Sequence, residues 1–323
     1  MDSSADMHFL RQSQLRQLSE SLQQHESQNA FILVDAYLRE PLSEVLTNSC
    51  CPCIPVPINR PNVRKDQRPI LIGWKPEEVE VLKESFQAAF DEQSDSEREA
   101  KEGFALGGWL LSQSDGVTVA NHLAYIMQPV RPGEGRRYMR WADRRVLEWM
   151  WPQLRQFQRG ALLGPITHWW TISRCNELID HHVDGDAGAR TSHGMEPTQG
   201  YWIHADRCDL VQDMLRGWQK FEPDLPFDYL DRAARAAAGA QSLGLTRTVD
   251  IVLLATYVIQ IHPRLCQHPR VMECVSATLR DHGSLSQCLG DISDIEWDSI
   301  RCELKNSPNQ TASSATPHII NQE

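Results

Sequence analysis

The stretch RRYMRWADRRVLEWMWPQLRQFQRG, Arg136 to Gly160, sets arginine after arginine among Tyr138, Trp141, Trp149, Trp151 and Phe157, in a chain whose formal net charge is −11. Basic residues interleaved with aromatics are the pattern of a nucleic-acid groove. The competing reading is a strand that runs into a helix, with the arginines serving structure or protein contact. Local pattern favours the second. In YMRW the residues alternate, so an extended segment puts Tyr138 and Arg140 on one face and Met139 and Trp141 on the other. Asp143 is placed to cap a helix starting at Arg144 by accepting backbone N–H bonds. On that helix Leu147, Met150, Trp151 and Leu154 make a core stripe rather than a stacking platform. Arg144 and Arg145 fall in the first turn, where the helix dipole disfavours cations by a few tenths to about 1 kcal/mol. A carboxylate from elsewhere in the fold is the expected compensation.

The 323 residues suffice for two domains or one large one, and 41% apolar with 23% charged residues is the composition of a globular protein. No run approaches the roughly 18 apolar residues of a membrane helix. The polar start, with Asp2, Asp6 and Glu20, lacks the apolar segment of a secretory signal, so the expected location is the cytoplasm. Nine scattered cysteines, an odd number, read as free thiols in a reducing compartment. Net acidity argues against nucleic acid as the main partner.

Leu15, Leu18 and Leu22 recur at helical spacing in a lead-in over residues 1–29. AFILVD and PILIGW then read as strands, separated by the extended connector CCPCIPVPINRP. KPEEVEVLKESFQAAF is a helix with Pro76 in its first turn and a stripe of Val79, Leu82, Phe86 and Phe90. DEQSDSEREAKEG reads as a solvated acidic loop. FALGGWLLS is a strand with a bulge or close approach at Gly107-Gly108, VTVANHLAYIM a helix, RYMRW a strand, DRRVLEWMWPQL a helix and GPITHWWTI a strand. The alternation implies an α/β or α+β lobe over 30–183, built on a mixed or parallel sheet flanked by helices. The segment DGDAGARTSHGMEPTQG reads as a long exposed loop. Beyond it an all-helical lobe over 184–304 is expected, with a break at Pro263 and a restart at Pro269, and then a tail, 305–323, disordered by composition.

Several clusters invite a chemical reading. Cys50, Cys51 and Cys53 lack the second ligand pair of a structural zinc site. His181, His182, Asp184, Asp186 and His193 are the richest set of donors, and a metal-dependent or acyl-transfer enzyme using His181, His182 and Asp184 is the alternative function to weigh. Adjacent histidines on a strand point oppositely, however. HHVDG is also shorter than the HHxxxDG signature of condensation-type acyltransferases, and a calcium loop would need more oxygen ligands. No nucleophile elbow or Walker-type loop occurs. No catalytic residue, metal or cofactor is therefore assigned.

Five segments in order, ILVDAYLREPL, PILIGW, GWLLSQSDGVTVANHL, MRWADRRVLEWM and GPITHW, resemble those of the DUF4123 family over about residues 30 to 170. Arg144 stands where the family usually has proline after the aspartate, and Trp141-Ala142 replaces the usual aromatic pair. The resemblance implies a non-enzymatic adaptor chaperone of bacterial type VI secretion, which holds an effector in the cytoplasm and loads it on the spike protein VgrG. The helical lobe is then the natural effector-binding part, since grooves between helices accept amphipathic segments. Arginine and tryptophan are enriched at interface hot spots. Arg140 and Trp149 are thus the expected contact residues, with Asp143 and Arg145 beside them; neither nucleic acid nor membrane is an expected partner.

Overall fold

The computed structural model describes residues 3–25, 27–37, 39–59, 63–184, 197–281 and 283–306. By compactness the chain divides into one unit of Met1–Gln212 with Glu222–Phe227 and a second of Asp213–Phe221 with Asp228–Glu323. The sequence pattern places its boundary by a different criterion, at 183/184, where apolar periodicity stops. Compactness changes later, within a helix.

The first unit is built on a six-stranded sheet of order β2-β3-β1-β4-β7-β8. Its strands are β1 (Asn29–Val34), β2 (Cys53–Pro55), β3 (Ile70–Trp74), β4 (Leu106–Ser112), β7 (Ile166–Ile172) and β8 (Leu178–His182). The α+β class holds, but every neighbouring pair is antiparallel rather than parallel. After the short α2 (Ser43–Thr47) between β1 and β2, helices α3 (Val79–Ser94) and α4 (Ser96–Glu102) carry the chain from β3 to β4 across β1. Those two strands therefore share a direction without pairing, and the strand–helix alternation arises without a parallel ladder.

One face of the sheet lies under α1 (Ser3–Gln24) and α3. There Leu18, Leu22, Leu82, Phe86 and Phe90 pack with Ile32, Ile72, Trp109, Leu111 and Trp170. The lead-in is thus a core helix, with Leu18 and Leu22 buried as their spacing predicts. Helix α3 begins three residues past Pro76, and Val79 is exposed while Val81 takes the inward position. Helices α5 (Gly116–Ile126), α6 (Arg144–Met150) and α7 (Gln156–Leu163) contact strands of the same sheet. Gly116 opens α5 against the opposite face, where a Cβ would lie 2.3 Å from Ile54 and 3.0 Å from Phe31.

Two expectations fail here. RYMRW is not a strand: the only nearby ladder is the small hairpin β5 (Val130–Arg131) with β6 (Gly135–Arg136). Tyr138 to Trp141 do alternate in burial, with Met139 and Trp141 inside. Their backbone is tied by Met139 N–H to the Met127 carbonyl and Trp141 N–H to the Met139 carbonyl, each 2.9 Å, instead of by a strand neighbour. Alternation reports a two-sided environment, which a non-ladder segment can also have. Nor is the acidic stretch a loop. Helix α3 runs to Ser94, Asp95 caps α4 through the Arg98 N–H at 2.9 Å, and Glu92 and Glu99 are buried.

The second unit is helical. Its α9 (Cys208–Gln219) gives its first residues to the first unit. Upstream, α8 (Gln199–Asp206) also belongs to the first unit and is capped by Thr198. Then come α10 (Tyr229–Ser242), α11 (Thr248–Gln260), α12 (Pro269–Asp281), α13 (Leu285–Gly290) and α14 (Asp294–Asn306). Ala233, Ala236, Ala237 and Ala240 form the buried stripe of α10, which packs on α11; small side chains on such a face permit close approach. The break before Pro263 and the restart at Pro269 occur as expected. Most of the expected exposed loop, residues 185–196, and of the tail, residues 307–323, lies outside the described residues; Lys305 and Asn306 are helical.

The Gly107-Gly108 irregularity is present. Ladder register slips between Leu33 and Val34, opposite Gly108 and Leu106. Gly108 has φ +123°, and a Cβ there would lie 2.2 Å from the Trp170 carbonyl oxygen. Gly108→Ala should cost about 2–3 kcal/mol in urea unfolding. Gly133→Ala, at φ +80° with open space around it, should cost about 1 kcal/mol. Equal small losses in the two variants would contradict this account of the bulge.

Candidate functional site

The expected contact residues are held in a buried ionic cluster of the first unit. Asp143 caps α6 by accepting the Arg145 N–H at 3.2 Å. The carboxylates that offset Arg144 and Arg145 at this helix start come from the stretch that reads as solvated. Arg144, 2% exposed, pairs with Glu92 of α3. It also donates to the carbonyls of Leu106 (3.1 Å), Ile172 (3.1 Å) and Ala89 (2.5 Å). Arg145 bridges Asp143 (2.6 Å) and Glu99 of α4 (2.9 Å). Arg174, buried just beyond β7, pairs with Glu99 as well. The Phe104 ring receives the guanidiniums of Arg144, Arg145 and Arg174 at 4.0, 4.9 and 5.8 Å from its centroid, all within or close to cation–π range. On the outer side Arg140 meets Asp35 at 2.5 Å, and Arg39 meets Glu92 at 2.6 Å.

Burial opposes ionisation of Glu99 and Asp143. For Glu99 the guanidiniums of Arg174 and Arg145 outweigh it; for Asp143 those of Arg145 and Arg140 do. Both carboxyls are thereby held below their ordinary values. Of the four expected contact residues, only Arg140 keeps appreciable side-chain exposure, 26%. Trp149, expected outside, is 1% exposed: its indole N–H donates to the His204 carbonyl at 2.8 Å. Helix α6 touches β4 on one side and α8 on another, so an apolar stripe along one side underestimates how much of it is covered.

The histidine cluster is divided by a strand that the sequence reading did not assign, β8. His181 faces the interior, with Nε2 2.9 Å from the Thr171 hydroxyl and its ring edge-on to Trp151 at 5.0 Å. Burial pushes its imidazole down to about 4. His182 points to the opposite face, where Asp180 Oδ2 lies 3.3 Å from its Nδ1. Asp180 also approaches His168 Nδ1, at 3.0 Å. Asp184 is exposed and outside this group, and Asp186 and His193 lie outside the described residues. His181, His182 and Asp184 therefore do not converge. The residues that do are His168, Asp180 and His182, and the signal for the last two was their i, i+2 spacing. Among the described residues this is the only cluster of three or more such donors; Cys50, Cys51 and Cys53 are free thiols, with Cys51 and Cys53 pushed up chiefly by burial.

An open groove of about 330 Å³ lies beside the β5–β6 hairpin, lined by Tyr125, Pro129, Val130, Pro132, Arg136 and Pro197 among others. Tyr125 and Val130 are 55% and 57% exposed. An aromatic ring, rigid prolines and one cation suit a polypeptide surface.

Two outcomes follow. Removing one partner of a buried ion pair leaves the other charge uncompensated, so Arg144→Ala should cost about 3–5 kcal/mol in chemical unfolding; a loss below about 1 kcal/mol would contradict the central place of this residue. The unfolded chain protonates His181 below its ordinary value of 6.5, while the folded chain resists until about 4. Stability from His181 is thus complete above pH 6.5 and declines on acidification, by on the order of 3 kcal/mol across that window. His181→Gln should flatten the fall in melting temperature there; an unchanged slope would refute the assignment.

Residues 12–161 match the family described as domain of unknown function (DUF4123). No curated protein and no solved structure matches the chain. The matched region begins within α1 and ends within α7, so it holds β1 to β6, the hairpin and every member of the ionic cluster except Arg174. The part of this chain that is similar to the DUF4123 family is thus residues 12–161.

Proposed function

We propose that this protein is a cytoplasmic adaptor chaperone that binds a type VI secretion effector and promotes its loading on the VgrG spike. The reading rests on the similarity to the DUF4123 family over residues 12–161 and on the adaptor role implied by the resemblance. The structural observation that supports it is the groove at Tyr125 and Val130, which offers exposed apolar surface next to Arg136, in the same unit as the framework of buried ion pairs. Arg140, Asp143 and Arg145 act in this reading by fixing that framework. The second unit adds exposed apolar side chains of its own, Phe221, Val249 and Ile295, suited to capturing an amphipathic segment.

Co-expression with the products of the neighbouring reading frames provides the test. The wild-type chain should co-purify with an effector or with a VgrG C-terminal region. The double variant Tyr125→Asp/Val130→Asp should weaken one of these complexes by at least about tenfold, roughly 1.4 kcal/mol. Failure of the wild-type chain to retain either partner would remove the proposal.

A further inference from the structure

We propose that His168, Asp180 and His182 form a binding site for a divalent transition-metal ion of the zinc type, on the outer margin of the sheet in the first unit. The inference is independent of the adaptor reading. It starts from the ladder. His168 of β7 and His182 of β8 are register partners, and Asp180 is the next residue of β8 on the same face. The backbone therefore delivers three donor side chains to one spot. Trp170 stacks on the His168 ring, with centroids 5.0 Å apart and planes 6° from parallel, and holds that ring in place.

The spacing suits a small ion. Tetrahedral zinc with bonds of about 2.0–2.1 Å requires neighbouring donor atoms roughly 3.3 Å apart. Asp180 Oδ2 stands 3.0 Å from His168 Nδ1 and 3.3 Å from His182 Nδ1. One donor atom from each of the three residues falls within 4.8 Å of the others. Two edges of the coordination polygon thus already have about the right length, and side-chain rotation closes the third. Side-chain exposures of 25% for His168, 32% for Asp180 and 47% for His182 leave a route for the ion and room for water at the remaining position. A further imidazole, His25 just beyond α1, has its ring centroid 5.4 Å from that of His168.

The two imidazoles are borderline donors and outnumber the one hard carboxylate, which favours copper and zinc over magnesium or calcium. The rival explanation is a carboxylate hydrogen-bonded to two histidines with no ion. Partly exposed pairs of that kind contribute little to stability, which gives no reason for gathering all three groups at one point. A bound ion does: it fastens β8, the last strand of the sheet, to β7.

The test uses the full chain without a polyhistidine tag, stripped of metal and titrated with zinc by calorimetry. Wild-type protein should bind zinc, and a Cys50→Ser/Cys51→Ser/Cys53→Ser variant should bind it equally well. His182→Ala and Asp180→Asn should each weaken binding by roughly a hundredfold, the upper end of what loss of an outer-sphere partner alone costs. Circular dichroism checks that each variant is folded. Cobalt(II) at the same site should show visible d–d absorption without a sulfur-to-metal charge-transfer band. Absence of zinc binding in the wild type, binding that follows the cysteines, or binding undiminished in both His182→Ala and Asp180→Asn would overturn the proposal.

Discussion

A guanidinium enters a protein interior only where acceptors await nearly all of its N–H groups. Arg144 meets that condition by reaching Glu92 and the carbonyls of Ala89, Leu106 and Ile172. Its acceptors lie on α3, β4 and β7, while its own backbone starts α6. One side chain thereby ties together four elements, two helices and two strands of the sheet. The arrangement also resolves the unfavourable placement of cations at a helix start, because the dipole term is small beside a buried, hydrogen-bonded carboxylate.

Around this centre charge and ring alternate. Phe104 presents its ring to three guanidiniums, and Glu99 accepts from two of them. Gly103, at φ +75°, makes the turn between α4 and Phe104, and a Cβ there would sit 2.4–2.5 Å from Arg145, Arg140 and Asp143 atoms. The crowding leaves no space for a side chain. Such a network constrains the relative placement of its elements more sharply than an apolar core of similar size, because each hydrogen bond carries a direction as well as a distance.

Elements built on apolar periodicity were legible in the sequence: the Leu18 and Leu22 face of α1, strands β1, β3, β4 and β7, the helix capped by Asp143, and the helices of the second unit. Strand direction was not, since alternation is the same in parallel and antiparallel ladders. RYMRW misled for a related reason, because burial alternates in any extended segment wedged between two layers. Glu92 and Glu99 read as solvated because a carboxylate carries no mark of the guanidinium it will meet far along the chain. Trp149 read as exposed because part of its cover comes from α8, about 55 residues further along the chain. His168 belongs with Asp180 and His182 only through the β7–β8 register, which no local motif announces.

The two borders of the sheet differ in chemistry. At one, β2 is three residues long and ends in Pro55, which has no N–H to offer. At the other, β8 carries Asp180 and His182 on one face, where an incoming strand would have to desolvate them. Edge-to-edge growth of the sheet between copies of the chain is therefore penalised at both rims, by a missing donor on one and by polar side chains on the other.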